Sequence, residues 1–152
     1  MGITITTINT AREIVEEMLN RLEVKAEVGL RATEDMIFGN ITTDQAGLLI
    51  GHNGETLAAL QTVVSLMLAR RLQERIHLVL DVGGYRERRE EALTDMARRA
   101  AEEVMLSKKP ITLEPMQPFE RRVVHLVLQG YPEIATESEG EDPERRVVIK
   151  PA

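Results

Sequence analysis

Residues 46–61 read AGLLIGHNGETLAALQ, and the fold turns on how they are understood. A short apolar helix, with Asp44 as its expected cap, runs into Gly51, His52, Asn53 and Gly54 and stops. From Glu55 the pattern is strongly helical, with Leu57, Leu60, Val64, Met67 and Leu68 at three- and four-residue steps. Glu55 lies in the first turn and Arg70 and Arg71 in the last, which suits the helix macrodipole. Two glycines three apart permit a tight corner and let another backbone approach without a Cβ in the way. The helix that starts at Gly54 turns its free N–H groups and positive end into that corner, a setting that favours an anion. The phosphates of a single-stranded nucleic acid fit this chemistry, with bases lying in an apolar groove near Ile50, Leu57 and Leu60. The plainer alternative is an ordinary helix–turn–helix corner.

Working outward, Thr10 reads as the N-cap of a helix over AREIVEEMLNRL, with Glu13 completing a capping box. Val24, Ala26, Val28 and Leu30 alternate with polar or small residues, as in a half-buried strand, and MIFGNIT follows as its hairpin partner. After the long helix, IHLVLD is a third strand. The first half is therefore helix, strand, strand, helix, helix, strand. Gly83-Gly84 is the clearest punctuation and marks the expected domain junction, giving domains over 1–82 and 83–152. The second half opens with a helix from about Tyr85 to Ser107, whose apolar face is expected to be Ala92, Leu93, Met96, Ala100, Val104 and Met105. A short strand, ITL, precedes a helix over PFERRVVHLVLQ with Pro118 near its first turn. EIATES and RRVVIK close the chain as two strands around the turn at residues 140–143.

The 152 residues carry 19 basic and 25 acidic side chains, a net charge of −6. Residues 1–82 hold seven basic and eleven acidic groups, and residues 83–152 hold twelve and fourteen. Neither half is basic in bulk, so attraction to a polyanion has to be local. There is no cysteine, which excludes disulfides, thiolate metal sites and a cysteine nucleophile. His52, His77 and His125 are far apart in sequence, so no metal site and no cofactor is expected. The longest mostly apolar run, residues 62–69, is far short of a bilayer span, and no secretory signal pattern is present. The cytoplasm is the expected compartment, with no insertion into a membrane.

The element order around the GxxG corner resembles a type II KH domain, in which that loop clamps about four nucleotides of backbone. By this resemblance Ile50, Gly51, His52, Asn53, Gly54 and Leu57 are nucleic-acid contacts. RNA-binding KH loops usually carry basic residues between the glycines, where this chain has His52 and Asn53.

A second candidate site lies at ERRVVH. Arg121 and His125 are four apart, so they share a helix face, and together they offer a planar fork and a short donor to an anion. The spacing favours Arg121 over Arg122 as the ligand-facing arginine and leaves Arg122 the alternative of pairing with an acid. Met116, Pro118, the Arg-x-x-x-His core and the segment ATESEGEDPERRVVIKP together resemble the R-3-H domain, associated with single-stranded nucleic acid. Arg145, Arg146 and Lys150 on the last strand could extend the same patch.

A KH domain joined to an R-3-H domain, with DVGGYRERREEAL between them, resembles the Jag family of bacterial proteins, also called SpoIIIJ-associated proteins. The resemblance implies an α+β protein: a type II KH domain, then a small domain of long helix, short strand, helix and two strands. It further implies a cytoplasmic binder of single-stranded RNA, or of single-stranded DNA, linked to cell division and elongation and to the neighbourhood of a membrane insertase. Some family members pair with a small stand-alone KH protein. Oligomeric state and base preference stay open.

An enzyme would need a nucleophile or an acid–base pair in a pocket. His125 and Glu120 are five apart and poorly placed on one helix face, and no Walker or dinucleotide motif occurs. No catalytic residue is assigned. The competing non-catalytic reading is a KH scaffold that has lost its nucleic acid and serves as a protein-interaction adaptor for an insertase or the division machinery.

Overall fold

A computed structural model describes residues 2–152, which form two compact units, one up to Arg86 and one from Glu87. The first contains α1 (Ile5–Arg21), β1 (Glu27–Ala32), β2 (Met36–Thr42), α2 (Ala46–Ile50), α3 (Glu55–Leu72) and β3 (His77–Val82). Its sheet has the order β1-β2-β3, antiparallel between β1 and β2 and parallel between β2 and β3. One face of that sheet buries Ile37, Ile41, Leu78, Leu80 and Val82 against Ile14, Val15 and Leu19 of α1 and Leu57, Leu60, Val64 and Leu68 of α3. The three- and four-residue spacing on α3 therefore marks its core face.

Three sequence expectations need correction at element ends. The first helix starts at Ile5, capped by Thr4, whose Oγ1 accepts from the Thr7 N–H at 3.1 Å. Thr7 completes the capping box by accepting from the Thr4 N–H at 3.3 Å. Thr10, the expected cap, sits inside the helix and donates its hydroxyl to Thr6 O at 2.9 Å. A run of β-branched residues thus hides one and a half turns of helix. The first strand starts at Glu27 rather than Val24 because residues 23 and 24 serve the helix end. Glu23 takes φ +55, its N–H reaches Asn20 O, and the N–H of buried Val24 reaches Leu19 O. This is a Schellman closure built without glycine. Asp44 caps nothing on α2; the N-cap is Gln45, whose N–H instead donates to Thr43 Oγ1 at 3.1 Å.

Both outer strands of this sheet have backbone groups covered by side chains. Arg12 Nη1 donates to Val28 O of β1 at 2.6 Å. On β3 the Leu80 N–H donates to Gln61 Oε1 at 2.9 Å, and Arg86 Nε donates to Leu80 O at 2.7 Å. Arg86 Nη2 also donates to Gln61 Oε1 at 2.7 Å, tying the two covering side chains together. Burial holds the Arg86 pKa below its usual value, against the opposing pull of Asp81 and Tyr85.

In sequence order, α4 (Tyr85–Ser107) precedes β4 (Ile111–Thr112), α5 (Pro118–Leu128), β5 (Ile134–Glu139) and β6 (Arg146–Pro151). The second sheet has the order β4-β6-β5 and is antiparallel throughout. The buried stripe of α4 is Leu93, Ala97, Ala100, Ala101 and Val104, with Met96 and Met105 half-buried beside it. Ala92, expected on that face, is exposed, and Ala97 and Ala101 take the buried positions. These pack with Val124 and Leu128 of α5 and with Val147 and Ile149 of β6. Gln117 caps α5 in a box with Glu120, whose Oε2 accepts from the Gln117 N–H at 3.0 Å, and Pro118 takes the first helical position.

Candidate nucleic-acid interface

At the GxxG corner, α2 ends at Ile50 and Gly51 takes φ +70, in a region that L side chains rarely adopt. A Cβ on Gly51 would collide with the Thr56 side chain. His52 to Gly54 form one 3₁₀ turn, with Asn53 at φ +50 and Gly54 at φ +79. A Cβ on Gly54 would stand 2.9 Å from Cε1 of Tyr85 and 3.2 Å from its hydroxyl oxygen, so this ring forms the floor of the corner. The glycines are thus required by the close Thr56 side chain and Tyr85 ring, while His52 faces solvent. Asn53 Nδ2 and His52 Nε2 lie 3.3 Å apart, within hydrogen-bonding distance. The corner opens directly into the eighteen residues of α3, whose first turn carries Glu55.

The apolar neighbours divide differently from the expectation. Leu57 and Leu60 are buried in the core of the first unit, while Ile50 is half-buried against that core. On the helices that flank the corner, Leu48 of α2 (58% exposed) and, one turn apart on α3, Val63 (41%) and Leu66 (66%) are open to solvent. Val63 and Leu66 were legible as apolar residues of α3 that fall off its core stripe.

On α5 the structure does bring Arg121 and His125 together, and it engages one arginine nitrogen and both ring nitrogens. The Arg121 side chain is only 9% exposed; its Nη1 donates to Met116 O at 2.6 Å and to Asp142 Oδ1 at 2.8 Å. The two ring nitrogens of His125 bond the hydroxyls of Thr136 (Nδ1, 2.7 Å) and Ser138 (Nε2, 2.9 Å), alternate residues of β5. Burial, and then the Arg121 charge, hold the His125 pKa below its usual value, so the ring stays neutral. The expected site therefore has a particular geometry. The Arg121–His125 pair is braced from within this unit, with Asp142 standing on the arginine fork, and Arg122 is the exposed arginine. Arg122 has no hydrogen bond or ion pair among the described residues. The proposed extension of the patch is likewise engaged. Arg145 Nη1 donates to Gly140 O at 2.6 Å, Arg146 lies 3.6 Å from Glu144, and Lys150 lies 2.9 Å from Glu137.

Beneath these residues, Glu120 is fully buried and accepts from Arg89 Nε at 2.7 Å as well as from the Gln117 N–H. No group of residues suited to a metal ion occurs among the described residues. No described helix is long and apolar enough to cross a membrane.

Comparison with known proteins agrees with both halves of this layout. A family model described as "KhpA/KhpB, KH domain" matches residues 9–80, and the model of the R-3-H domain matches residues 91–151. "RNA-binding protein KhpB" of Bacillus subtilis is 35% identical over 144 residues, which span 93% of this chain and 69% of that protein. The chain belongs to the KhpB family. Other KhpB proteins are similar: that of Clostridium symbiosum at 37% identity over 91% of this chain, and that of Lactiplantibacillus plantarum at 39% over 84%. The chain spans 64% and 42% of those two KhpB proteins, respectively. Membership in the KhpB family bears out the expected Jag-type kinship and the α+β fold of a KH domain followed by an R-3-H domain. Within that family layout, sequence reasoning had no access to Tyr85 under Gly54, to Asp142 on Arg121, or to the two hydroxyls that hold His125. Each pair is joined only by tertiary contact.

Proposed function

We propose that this chain binds single-stranded RNA without catalysis, gripping the sugar–phosphate backbone at residues 51–54. The observation that carries this reading is the corner itself. Two positive-φ glycines, backed by Thr56 and Tyr85, stand at the head of a long helix with His52 facing solvent. A helix N-terminus of that length attracts phosphate, and His52 and Asn53 add hydrogen-bonding groups without an acidic charge to repel it. Val63 and Leu66 supply apolar surface for bases in a chain whose aromatic content is 3%. The relatives' printed name, RNA-binding protein KhpB, supports the same reading. A cytoplasmic role in post-transcriptional control of division and elongation, with a small stand-alone KH protein as partner, is the wider function we attach to it.

The exposed pair Val63 and Leu66 also favours a second reading, an adaptor that docks a protein on α3. Titration of the purified chain with labelled single-stranded RNA, across a salt series, separates the two. RNA binding in the micromolar range or tighter that weakens with salt supports the first reading. No RNA binding at low salt, with a protein partner lost on Leu66→Ser, supports the second.

A further inference from the structure

Arg121 is the most enclosed cation of the second unit, yet its only charged partner among the described residues is a carboxylate standing largely in water. The Asp142 side chain is 57% exposed, against 9% for Arg121, and the two meet at 2.8 Å. The other acceptor on the same nitrogen, Met116 O, is a neutral carbonyl at 2.6 Å and cannot balance the charge. We propose that Asp142 occupies the position of an RNA phosphate on Arg121, so that RNA engages the second unit by exchanging a phosphate oxygen for this carboxylate.

The asymmetry of burial decides which partner moves. Arg121 sits on α5 between buried Glu120 and the core residue Val124, and bringing its guanidinium out to solvent would unpack that helix. Asp142 sits in the exposed segment between β5 and β6, and its carboxylate can rehydrate by rotating away. An anion of the same charge and similar oxygen spacing can then take the vacated side of the fork. Around the pair, Glu139, Glu141 and Glu144 are exposed and acidic, which opposes a polyanion while Asp142 stays in place. Arg122, exposed on the same helix, gives an approaching strand a first contact.

This exchange rests on the proposed RNA-binding function, so the experiment has to separate the two. The full chain and its Asp142→Asn variant are titrated with a short single-stranded RNA of mixed sequence at several salt concentrations. Glu141→Gln, which removes the same formal charge one residue away, serves as the control, and thermal unfolding confirms folding. The exchange predicts binding about fivefold tighter in Asp142→Asn, the scale set by losing an ion pair with one exposed member. It also predicts a steeper salt dependence, a clearly smaller gain in Glu141→Gln, and loss of the gain when Arg121→Gln is added. Equal gains in the two single variants, or a gain that survives without Arg121, would show a general charge effect and overturn the exchange. Weaker binding in a folded Asp142→Asn variant overturns it too, because Asp142 would then be holding Arg121 in position for RNA. If neither wild type nor Asp142→Asn binds RNA, the RNA-binding function falls, and the exchange with it.

Discussion

Arg89 Nε on α4 donates to Glu120 Oε1 on α5 across 2.7 Å, and the Glu120 carboxylate has almost no contact with solvent. Its other oxygen accepts from the Gln117 N–H at 3.0 Å. One buried carboxylate thus joins two helices and closes the cap of one of them.

Glu120→Ala should therefore destabilise the second unit by about 3 kcal/mol. Breaking a buried ion pair leaves its partner unpaired, and ~1 kcal/mol of that total goes with the cap. Denaturant unfolding followed by circular dichroism measures this, and a loss below ~1 kcal/mol would mean that the pair is not a structural tie.

His125 makes stability depend on pH. Its folded-state pKa lies below the ordinary 6.5, so the folded chain binds fewer protons than the unfolded chain at mildly acid pH. Its contribution is then complete above about pH 6.5 and is lost as pH falls toward and through the folded value. The unfolding midpoint should drop on acidification, and His125→Gln should flatten the drop. Identical pH profiles for the two chains would refute it.

Two glycines seven positions apart should respond to alanine in opposite directions. Gly54→Ala places a methyl at φ +79 against the Tyr85 ring and should cost about 1–2 kcal/mol. Gly47→Ala meets nothing within 4 Å inside α2 and should add up to about 1 kcal/mol. Thermal melts of the two variants test this, and a Gly54→Ala melt at the wild-type temperature would contradict the close packing described.

At the corner, the double change His52→Asp and Asn53→Asp puts two negative charges where phosphate is proposed to bind, at positions that do not form the core. RNA affinity should fall at least tenfold at low salt with the melting temperature within a few degrees of wild type. Arg122→Ala should lower the salt slope by about one unit, as expected of an exposed cation on phosphate. Fluorescence anisotropy titrations check both, and an unchanged slope removes Arg122 from the interface.

Periodicity made most of the fold legible. The 18 residues of α3 and the strands β2 and β3 stand close to where alternation and helical spacing put them. It failed where local chemistry imitates another element, as in the threonine-rich first turns of α1. For the site, the same regularity said less. Leu57 and Leu60 are spaced to face the core, and side chains that face a core are withdrawn from a ligand. Arg121 and His125 share a helix face as their spacing requires. Spacing along one helix says nothing about Asp142, twenty-one residues on, or about the hydroxyls of β5 that consume their donors.

Gln61, Arg86 and Arg12 act as stoppers on the flanks of the first sheet. A foreign chain looking to stack alongside as an extra β-ribbon would have to dislodge them first, which protects the molecule from fibre-like growth when it is crowded.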